Sequence, residues 1–349
     1  MKLVNAVYVG LAVLAMLLIA VAAFTTPYPA CVELGSPLAY RNIYLHIPVA
    51  IASYAAYTAA MIAAIIYIVK RSVAAASYAH RAIGTGIILS IATLITGSFW
   101  AAESWGTPWN WDPRETAVLF LTLAYMAYYA VRASIRDPEA ALKVSMAYAV
   151  AAYATVPLSF LAPYIFPSLH PKIVNTASYF AGGLEGAKIL FPLILFSLLI
   201  VTLLAPIAKP GRAAVAAAGI VIIIGAAAAL AMSAPWSSCS LHGRVVSAAL
   251  RGGEVVVAVK TAQGVIKLTL PPSKLGIRPP LLHGSQAAEC WSMIAGRSST
   301  EPWPTILGHI VCVKPSFHVL YPVCLVASVV MDALAIAAVL LLSKKYTSV

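Results

Sequence analysis

Long apolar stretches recur along almost the whole chain, and they restrict its fold more than any other feature. A helix of about 20 apolar residues can cross a bilayer, and eight candidate stretches are present. The chain is 62% hydrophobic and 10% charged, whereas soluble domains contain about 25% charged residues. We therefore predict an all-α polytopic membrane protein with about eight transmembrane helices. The predicted spans cover residues 4–24, 44–69, 82–102, 116–133, 141–162, 187–208, 213–235 and 319–342.

Basic residues are concentrated in every second connection between these spans, for example Arg71 and Arg81 after the second span and Arg132 and Arg136 after the fourth. The positive-inside rule then places both termini in the cytoplasm, and an even number of spans agrees. The first stretch lacks a clear cleavage site and is predicted to be a retained helix. We expect a multi-pass protein of the cell (cytoplasmic) membrane. The net charge of +12 follows from this topology and a basic external segment, and requires no nucleic-acid partner.

The distribution of polar residues divides the chain into four parts. Residues 1–210 form a predicted six-helix core, 211–235 a seventh helix, 236–318 an external segment, and 319–349 an eighth helix with a cytoplasmic tail. Valine-rich runs separated by glycine turns in the external segment predict a three-stranded meander, and hence a small β-containing external domain. Disulfides can form on that side of the membrane, but the sequence leaves their pairing open. The cysteines are Cys31, Cys239, Cys290, Cys312 and Cys324.

The predicted external loop 97–116 holds four of the seven tryptophans of the chain. Tryptophan is common at membrane interfaces, so such a loop alone is typical of a membrane anchor. Asp112, Pro113 and Glu115 also form a helix start, with Asp112 at the N-cap. A rigid aromatic surface beside charged groups nevertheless suits a large planar ligand that carries carboxylates. The four residues are Trp100, Trp105, Trp109 and Trp111.

Two histidines lie on the same predicted side of the membrane as this loop. His46 is at the outer end of the second span, and His170 is in the third external loop. Each alone is most simply an interfacial polar residue. Together, two imidazoles can bind the iron of a porphyrin from opposite faces, and Arg114 or Lys172 can pair with its propionates. The combination predicts a heme site with His46 and His170 as axial ligands.

The segment from Gly97 to Thr116, which ends in D-P-R-E-T, resembles the tryptophan-rich "WWD" signature of the heme-handling proteins of cytochrome c maturation. That superfamily includes CcmC, CcsA (also called ResC) and CcmF. His46-Ile47-Pro48 is similar to the histidine motif that precedes the signature in CcmC. The D-P-R-E-T ending of the tryptophan-rich segment is more similar to CcsA. The resemblance covers about residues 1–210 and implies a heme b site on the external face. It implies as heme-binding residues His46, His170, Trp100, Trp105, Trp109, Trp111, Asp112 and Arg114.

The resemblance implies a heme-delivery protein rather than an enzyme. The expected acceptor is a CcmE-like heme chaperone or an apocytochrome c, and the expected partners include ABC transporter subunits of the maturation system. A CcsA-like cytochrome c heme lyase is the first alternative. A membrane b-type electron-transfer subunit is the second, and a transporter that moves heme across the membrane is the third. An electron-transfer subunit and a heme transporter would both need heme ligands inside the membrane.

Three further residues or segments bear on these alternatives. CcsA- and CcmF-type proteins carry additional histidines within their spans, whereas His80 is predicted to be solvated in an inner basic loop, which favours a CcmC-like topology. Asp332 lies in the middle of the eighth predicted span, where a charge is costly, and is expected to contact a neighbouring helix. The segment 236–318 is expected to form a disulfide-stapled lid over the heme site, with a fused partner domain as the alternative.

Overall fold

The structure, a computed structural model, describes residues 2–25, 42–105, 107–170 and 185–209, together with shorter segments within 211–221, 241–270, 311–313 and 326–338. The described part is mostly helical. Its helices are α1 (Lys2–Thr25), α2 (His46–Lys70), α3 (Val73–Trp105), α4 (Pro113–Ser134), α5 (Pro138–Ala152), α6 (Thr155–Ile165) and α7 (Glu185–Leu204).

Five helical segments of the described residues are long and apolar enough to cross a membrane. They are α1, α2, α3, α4, and α5 together with α6, and they coincide with the first five predicted spans. The shorter apolar helix Ile189–Leu204 lies at the sixth predicted span. Much of the seventh and eighth predicted spans lies outside the described residues. The protein is therefore a mostly helical, multi-pass membrane protein, and the total of eight spans stays a prediction.

Helix α3 is much longer than the span predicted at residues 82–102. Its 33 residues correspond to about 50 Å at 1.5 Å per residue, against about 30 Å for the hydrocarbon core. It begins early because Ser72 Oγ accepts a hydrogen bond from the backbone N–H of Ala75 at 3.3 Å and no glycine or proline follows for eleven residues. The helix therefore extends past the predicted span at both ends.

The prediction of a solvated His80 is wrong. Because α3 begins at Val73, His80 lies within the helix and is only 9% exposed. Its Nδ1 is 3.2 Å from the hydroxyl of Tyr128, and its ring meets that of Tyr129 edge-on at 5.0 Å. The described spans thus contain one buried histidine that hydropathy alone placed in a loop.

The fifth predicted span, 141–162, is interrupted at Tyr153 and Ala154, where α5 ends and α6 begins. Pro157 explains the break, because it has no N–H to donate and its ring clashes with the carbonyl of the residue four positions earlier, Tyr153. That carbonyl instead accepts a hydrogen bond from the N–H of Val156 at 2.9 Å. A hydropathy profile finds the apolar length of this segment but not the break within it.

Close packing of α2 on α3 forms the centre of the bundle. The ring of Tyr57 lies so near Gly86 that a Cβ at residue 86 would be 2.5 Å from it. The other face of Tyr57 stacks on Tyr125 of α4, with ring centroids 3.8 Å apart, and its hydroxyl is 2.9 Å from that of Ser90. Small residues allow such close approach between membrane helices.

Both ends of the six-helix core meet on one side of the bundle. Asn5 near the start of α1 exchanges two hydrogen bonds of 2.8 Å with the backbone of Lys209, just after α7. Near the start of α3, Arg81 donates to the carbonyl of Pro206 at 3.1 Å. The far end of α3, with Trp100, therefore lies at the opposite end of the bundle.

The strands of the described part are β1 (Leu241–Arg251), β2 (Glu254–Thr261), β3 (Gly264–Leu270) and β4 (Val311–Val313). They form a four-stranded sheet of order β3-β2-β1-β4, in which β1, β2 and β3 are antiparallel neighbours and β4 runs parallel to β1. The three antiparallel strands lie where the valine-rich runs predict a meander. The assignment of 236–318 to an external domain stays a prediction, and among the five cysteines only Cys312 lies within the described residues.

Candidate functional site

His46 occupies the first position of α2 and is fixed by a hydroxyl of α3. Its Nδ1 is 3.1 Å from Oγ1 of Thr96. The Thr96 hydroxyl donates its only proton to the carbonyl of Ala92 at 2.9 Å, so towards His46 it acts as an acceptor. His46 therefore carries its proton on Nδ1, and Nε2 is the nitrogen with the lone pair that a metal requires.

The next residues of α3 complete the seat for this imidazole. A Cβ at Gly97 would lie 2.8 Å from Cε1 of His46, so the ring rests against a position where only glycine leaves enough room. One turn beyond Thr96, the indole of Trp100 meets the imidazole edge-on, with ring centroids 5.6 Å apart and planes at 86°. The orientation of His46 is thus set by three residues on one face of α3.

Asp112 is the centre of a hydrogen-bond network that holds His170. Oδ1 of Asp112 lies 2.8 Å from Nδ1 of His170 and accepts from the backbone N–H of Arg114 at 2.9 Å. Oδ2 accepts from the hydroxyl of Ser168 at 2.7 Å and from the backbone N–H of Leu169 at 2.6 Å. One buried carboxylate therefore joins the start of α4 to the segment that follows α6.

Asp112 is ionised in this network. Desolvation by burial acts to raise the pKa of its carboxyl group, but the hydrogen bond from His170, the charge of that ring when it is protonated, and the donors Ser168 and Arg114 N–H outweigh it. The net effect holds the pKa of Asp112 well below its usual range. Nδ1 of His170 consequently faces an acceptor and carries a proton, so a metal would bind His170 through Nε2.

The helix start predicted at Asp112 is confirmed, with one difference. Asp112 is the N-cap of α4 and Pro113 occupies the first helical turn. In a capping box, Glu115 would accept from the backbone N–H of the cap residue, whereas here it accepts from that of Asn110 at 3.1 Å. The link from Asp112 to His170 was not predicted, because 58 residues separate the two along the chain and no local pattern encodes their contact.

The four tryptophans do not share one irregular loop. Trp100 and Trp105 belong to α3, which continues to residue 105 because the intervening A-A-E-S contains no helix breaker. Trp109 and Trp111 lie in the short connection before α4, and their rings meet edge-on at 5.8 Å. Trp111 is 73% exposed and has a positive φ of 55°, a strained conformation for a residue with a side chain. The prediction that residues 97–116 form one loop is therefore wrong.

Arg114 lies at the same end of the bundle as both histidines. Its guanidinium carbon is 5.9 Å from the centre of the Phe160 ring, a distance at which a cation–π interaction is favourable. His170, when its ring is protonated, and Arg114 are both close enough to His46 for their charges to act on its imidazole. The structure thus brings His46, His170 and Arg114 together, whereas Lys172 lies outside the described residues.

These observations define a polytopic helical membrane protein with two oriented histidines, a carboxylate and a cation at one end of the bundle. Residues 2–170 match the family model described as "Cytochrome C assembly protein", and this segment ends at His170. The matched segment is just under half of the chain and contains the tryptophan-rich signature, so the resemblance predicted from that signature is confirmed.

Known relatives fall into two named groups. The chain is 34% identical over 113 residues to heme exporter protein C of Rhodobacter capsulatus, a match that spans 32% of this chain and 46% of the relative. For heme exporter protein C of Paracoccus denitrificans, the identity is 33% over 101 residues, 29% of this chain and 42% of the relative. Cytochrome c biogenesis protein CcsA of Thermosynechococcus vestitus is 47% identical over 53 residues, 15% of this chain and 17% of the relative. The matches therefore span less than half the length of each of these relatives.

Proposed function

We propose that this protein binds heme b between His46 and His170 and delivers it for cytochrome c assembly. The observation that carries the proposal is the pair of histidines at one end of the bundle, each engaged through Nδ1. Two imidazoles that present Nε2 complete the six-coordinate iron of a porphyrin, which supplies the other four nitrogens. The name of one group of relatives, heme exporter protein C, supports the same cargo, and the name cytochrome c biogenesis protein CcsA supports a role in cytochrome c assembly.

The surrounding residues fit the other parts of a heme molecule. Arg114 supplies a cation for a propionate, and its planar guanidinium can bind a carboxylate through two hydrogen bonds. Trp109 and the exposed Trp111 supply an aromatic surface for the apolar porphyrin edge. Trp100 contacts His46 itself, so its proposed role is to orient the ligand. The side chain of Trp105 lies outside the described part, and its heme contact stays a prediction.

The proposed action is delivery by exchange of an axial ligand. No bond within the porphyrin is made or broken by this chain; its residues bind, orient and release the cargo. The proposed acceptors are a heme chaperone or an apocytochrome c, in a maturation complex with ABC transporter subunits. A delivery role therefore requires that at least one iron–histidine bond can be exchanged.

We place the site on the external face of the membrane. Asn5 and Lys209 pair at the opposite end of the bundle, which supports six crossings between them. Arg71, Arg132 and Arg136 lie in or beside connections at that end, and basic residues favour the cytoplasmic side. Both termini inside and an external heme site are the consistent topology.

A cytochrome c heme lyase is the second candidate function. The 47% identity to CcsA over 53 residues favours it. The buried position of His80 also removes one reason for preferring a CcmC-like protein, since the spans are not devoid of histidine. Formation of covalent heme on a co-expressed apocytochrome, in cells without other maturation factors, would establish the lyase over a delivery protein.

The proposed function is tested by heme content and heme transfer. The full-length protein, purified in detergent, should contain heme, and co-expression with the maturation factors should load an apocytochrome c. The variant in which both His46 and His170 are alanine should lose both properties. His80→Ala is the matched control, a buried histidine outside the site, and should keep both. If the double variant retains normal heme content and transfer, the proposed site is wrong.

A further inference from the structure

The two proposed ligands differ in the group that accepts their Nδ1 proton. His170 bonds to the carboxylate of Asp112 at 2.8 Å. His46 bonds to the neutral hydroxyl of Thr96 at 3.1 Å. Hydrogen bonds to an ionised acceptor are about twice as strong as those between neutral groups. The two imidazoles therefore have unequal donor strength at Nε2.

A carboxylate behind an imidazole raises the basicity of the nitrogen that faces the metal and fixes the ring. Asp112 can do this because it is itself fixed: Arg114 N–H, Ser168 and Leu169 N–H all donate to it. These donors also identify the group as a carboxylate from geometry alone. His170 thus belongs to a rigid unit that is joined to the N-terminus of α4.

His46 has a weaker support. Thr96 has already committed its proton to the carbonyl of Ala92, so it accepts from His46 with a neutral oxygen and adds no charge. The remaining contacts of the ring on α3 are a hydrogen bond to the backbone of Thr93, which is also a neutral acceptor, the close packing on Gly97 and the edge of Trp100. They orient the imidazole but place no ionised acceptor behind it.

From this asymmetry we propose that His170 is the retained axial ligand, with Asp112 as its positioning residue, and that His46 is the exchangeable ligand. The proposal rests on the proposed function and assigns a direction to heme transfer. In the transfer step the bond between iron and Nε2 of His46 breaks, and a bond forms to a neutral nitrogen donor of the acceptor. A nitrogen lone pair of the acceptor replaces that of His46, so the step requires no oxidant, reductant or proton transfer.

The first test compares the two single histidine variants of the full-length protein in detergent, with imidazole as the probe. His46→Ala should keep most of its heme in a high-spin form, and added imidazole should restore a low-spin spectrum. His170→Ala should lose at least about fivefold more heme, since removal of the stronger ligand costs more affinity. Equal losses would overturn the inference and leave the proposed function standing. If neither variant changes the spectrum, the proposed function fails as well.

The second test addresses Asp112. Asp112→Asn keeps a good N-cap for α4 but removes the charge behind His170. We expect a higher heme midpoint potential and an increase of about tenfold in the rate at which cyanide displaces a ligand. Asp137→Asn is the matched control, because Asp137 caps α5 through Ala140 N–H at 2.7 Å in the same Asp-Pro context and contacts no heme ligand. Equal midpoint potentials and equal rates of cyanide displacement in the two variants would contradict the proposed role of Asp112.

Thr96 provides the complementary comparison. Thr96→Val removes the acceptor while keeping the shape of the side chain, and it should accelerate cyanide binding less than Asp112→Asn does. Thr96→Ser retains the hydroxyl and should restore the rate of the unaltered protein. A larger effect for Thr96→Val than for Asp112→Asn would show that Asp112 is not the stronger support and would contradict the proposed asymmetry.

Discussion

At residue 97 the absence of a side chain determines how closely α3 approaches His46. A methyl group there would lie 2.8 Å from Cε1 of the imidazole, nearer than the two carbons can stably approach. Thr96 and Trp100 hold the other sides of the ring. The sequence predicted His46 as a ligand but not this seat, because fifty residues separate His46 and Thr96 along the chain and only the packing of α2 on α3 joins them.

Gly97→Ala should therefore impair the site without unfolding the helix. Alanine is the better helix former, so the stability of α3 should not fall, while the imidazole must move away from Thr96. We expect most of the heme to be retained at unchanged expression, with a large part of it converted from the low-spin to the high-spin form. The control is Gly10→Ala in α1, where an added Cβ meets nothing within 4 Å. Equal low-spin fractions of the bound heme in the two variants would show that the seat is not required.

At the scale of elements, the sequence predicts where most helices lie but not where they end. The start of α4 was predictable because Asp112-Pro113 is a local signal that the structure uses as a cap. The length of α3 was not, since hydropathy marks the apolar centre of a helix and its polar ends are stabilised by Ser72 and by tertiary contacts. The break between α5 and α6 follows from Pro157, a signal that a hydropathy window averages out.

The α2–α3 interface provides a stability prediction. Gly86→Ala places a methyl group 2.5 Å from the ring of Tyr57, which is held between α3 and Tyr125. Overpacking of this kind costs about 1–3 kcal/mol. Thermal unfolding in detergent should therefore show a lower midpoint for Gly86→Ala than for Gly10→Ala. A midpoint equal to that of Gly10→Ala would mean that α2 and α3 accommodate the added methyl group without loss of stability.

For the whole molecule, the topology follows from a few long-range contacts. Asn5 and Lys209 pair at one end, Arg81 reaches Pro206 at the same end, and His46 with Trp100 marks the other. The sequence supplied the orientation through its basic residues, and the structure adds the contacts that join the first helix to the last of the core.

The orientation is tested by chemical labelling of intact cells with a membrane-impermeant thiol reagent. Thr107→Cys and Ser134→Cys introduce thiols at two exposed positions at opposite ends of α4. Thr107→Cys should label above the background of the native cysteines, and Ser134→Cys should label only after the membrane is opened. The reverse pattern would place the candidate site in the cytoplasm.

The electron paramagnetic resonance spectrum of the ferric, heme-loaded protein tests the central claim most directly. We predict a low-spin signal typical of two imidazole ligands, and its loss in both His46→Ala and His170→Ala, with any remaining heme high-spin. His80→Ala should leave the signal unchanged. If both site variants retain the low-spin signal of the unaltered protein, His46 and His170 are not the axial ligands and the proposed heme site is wrong.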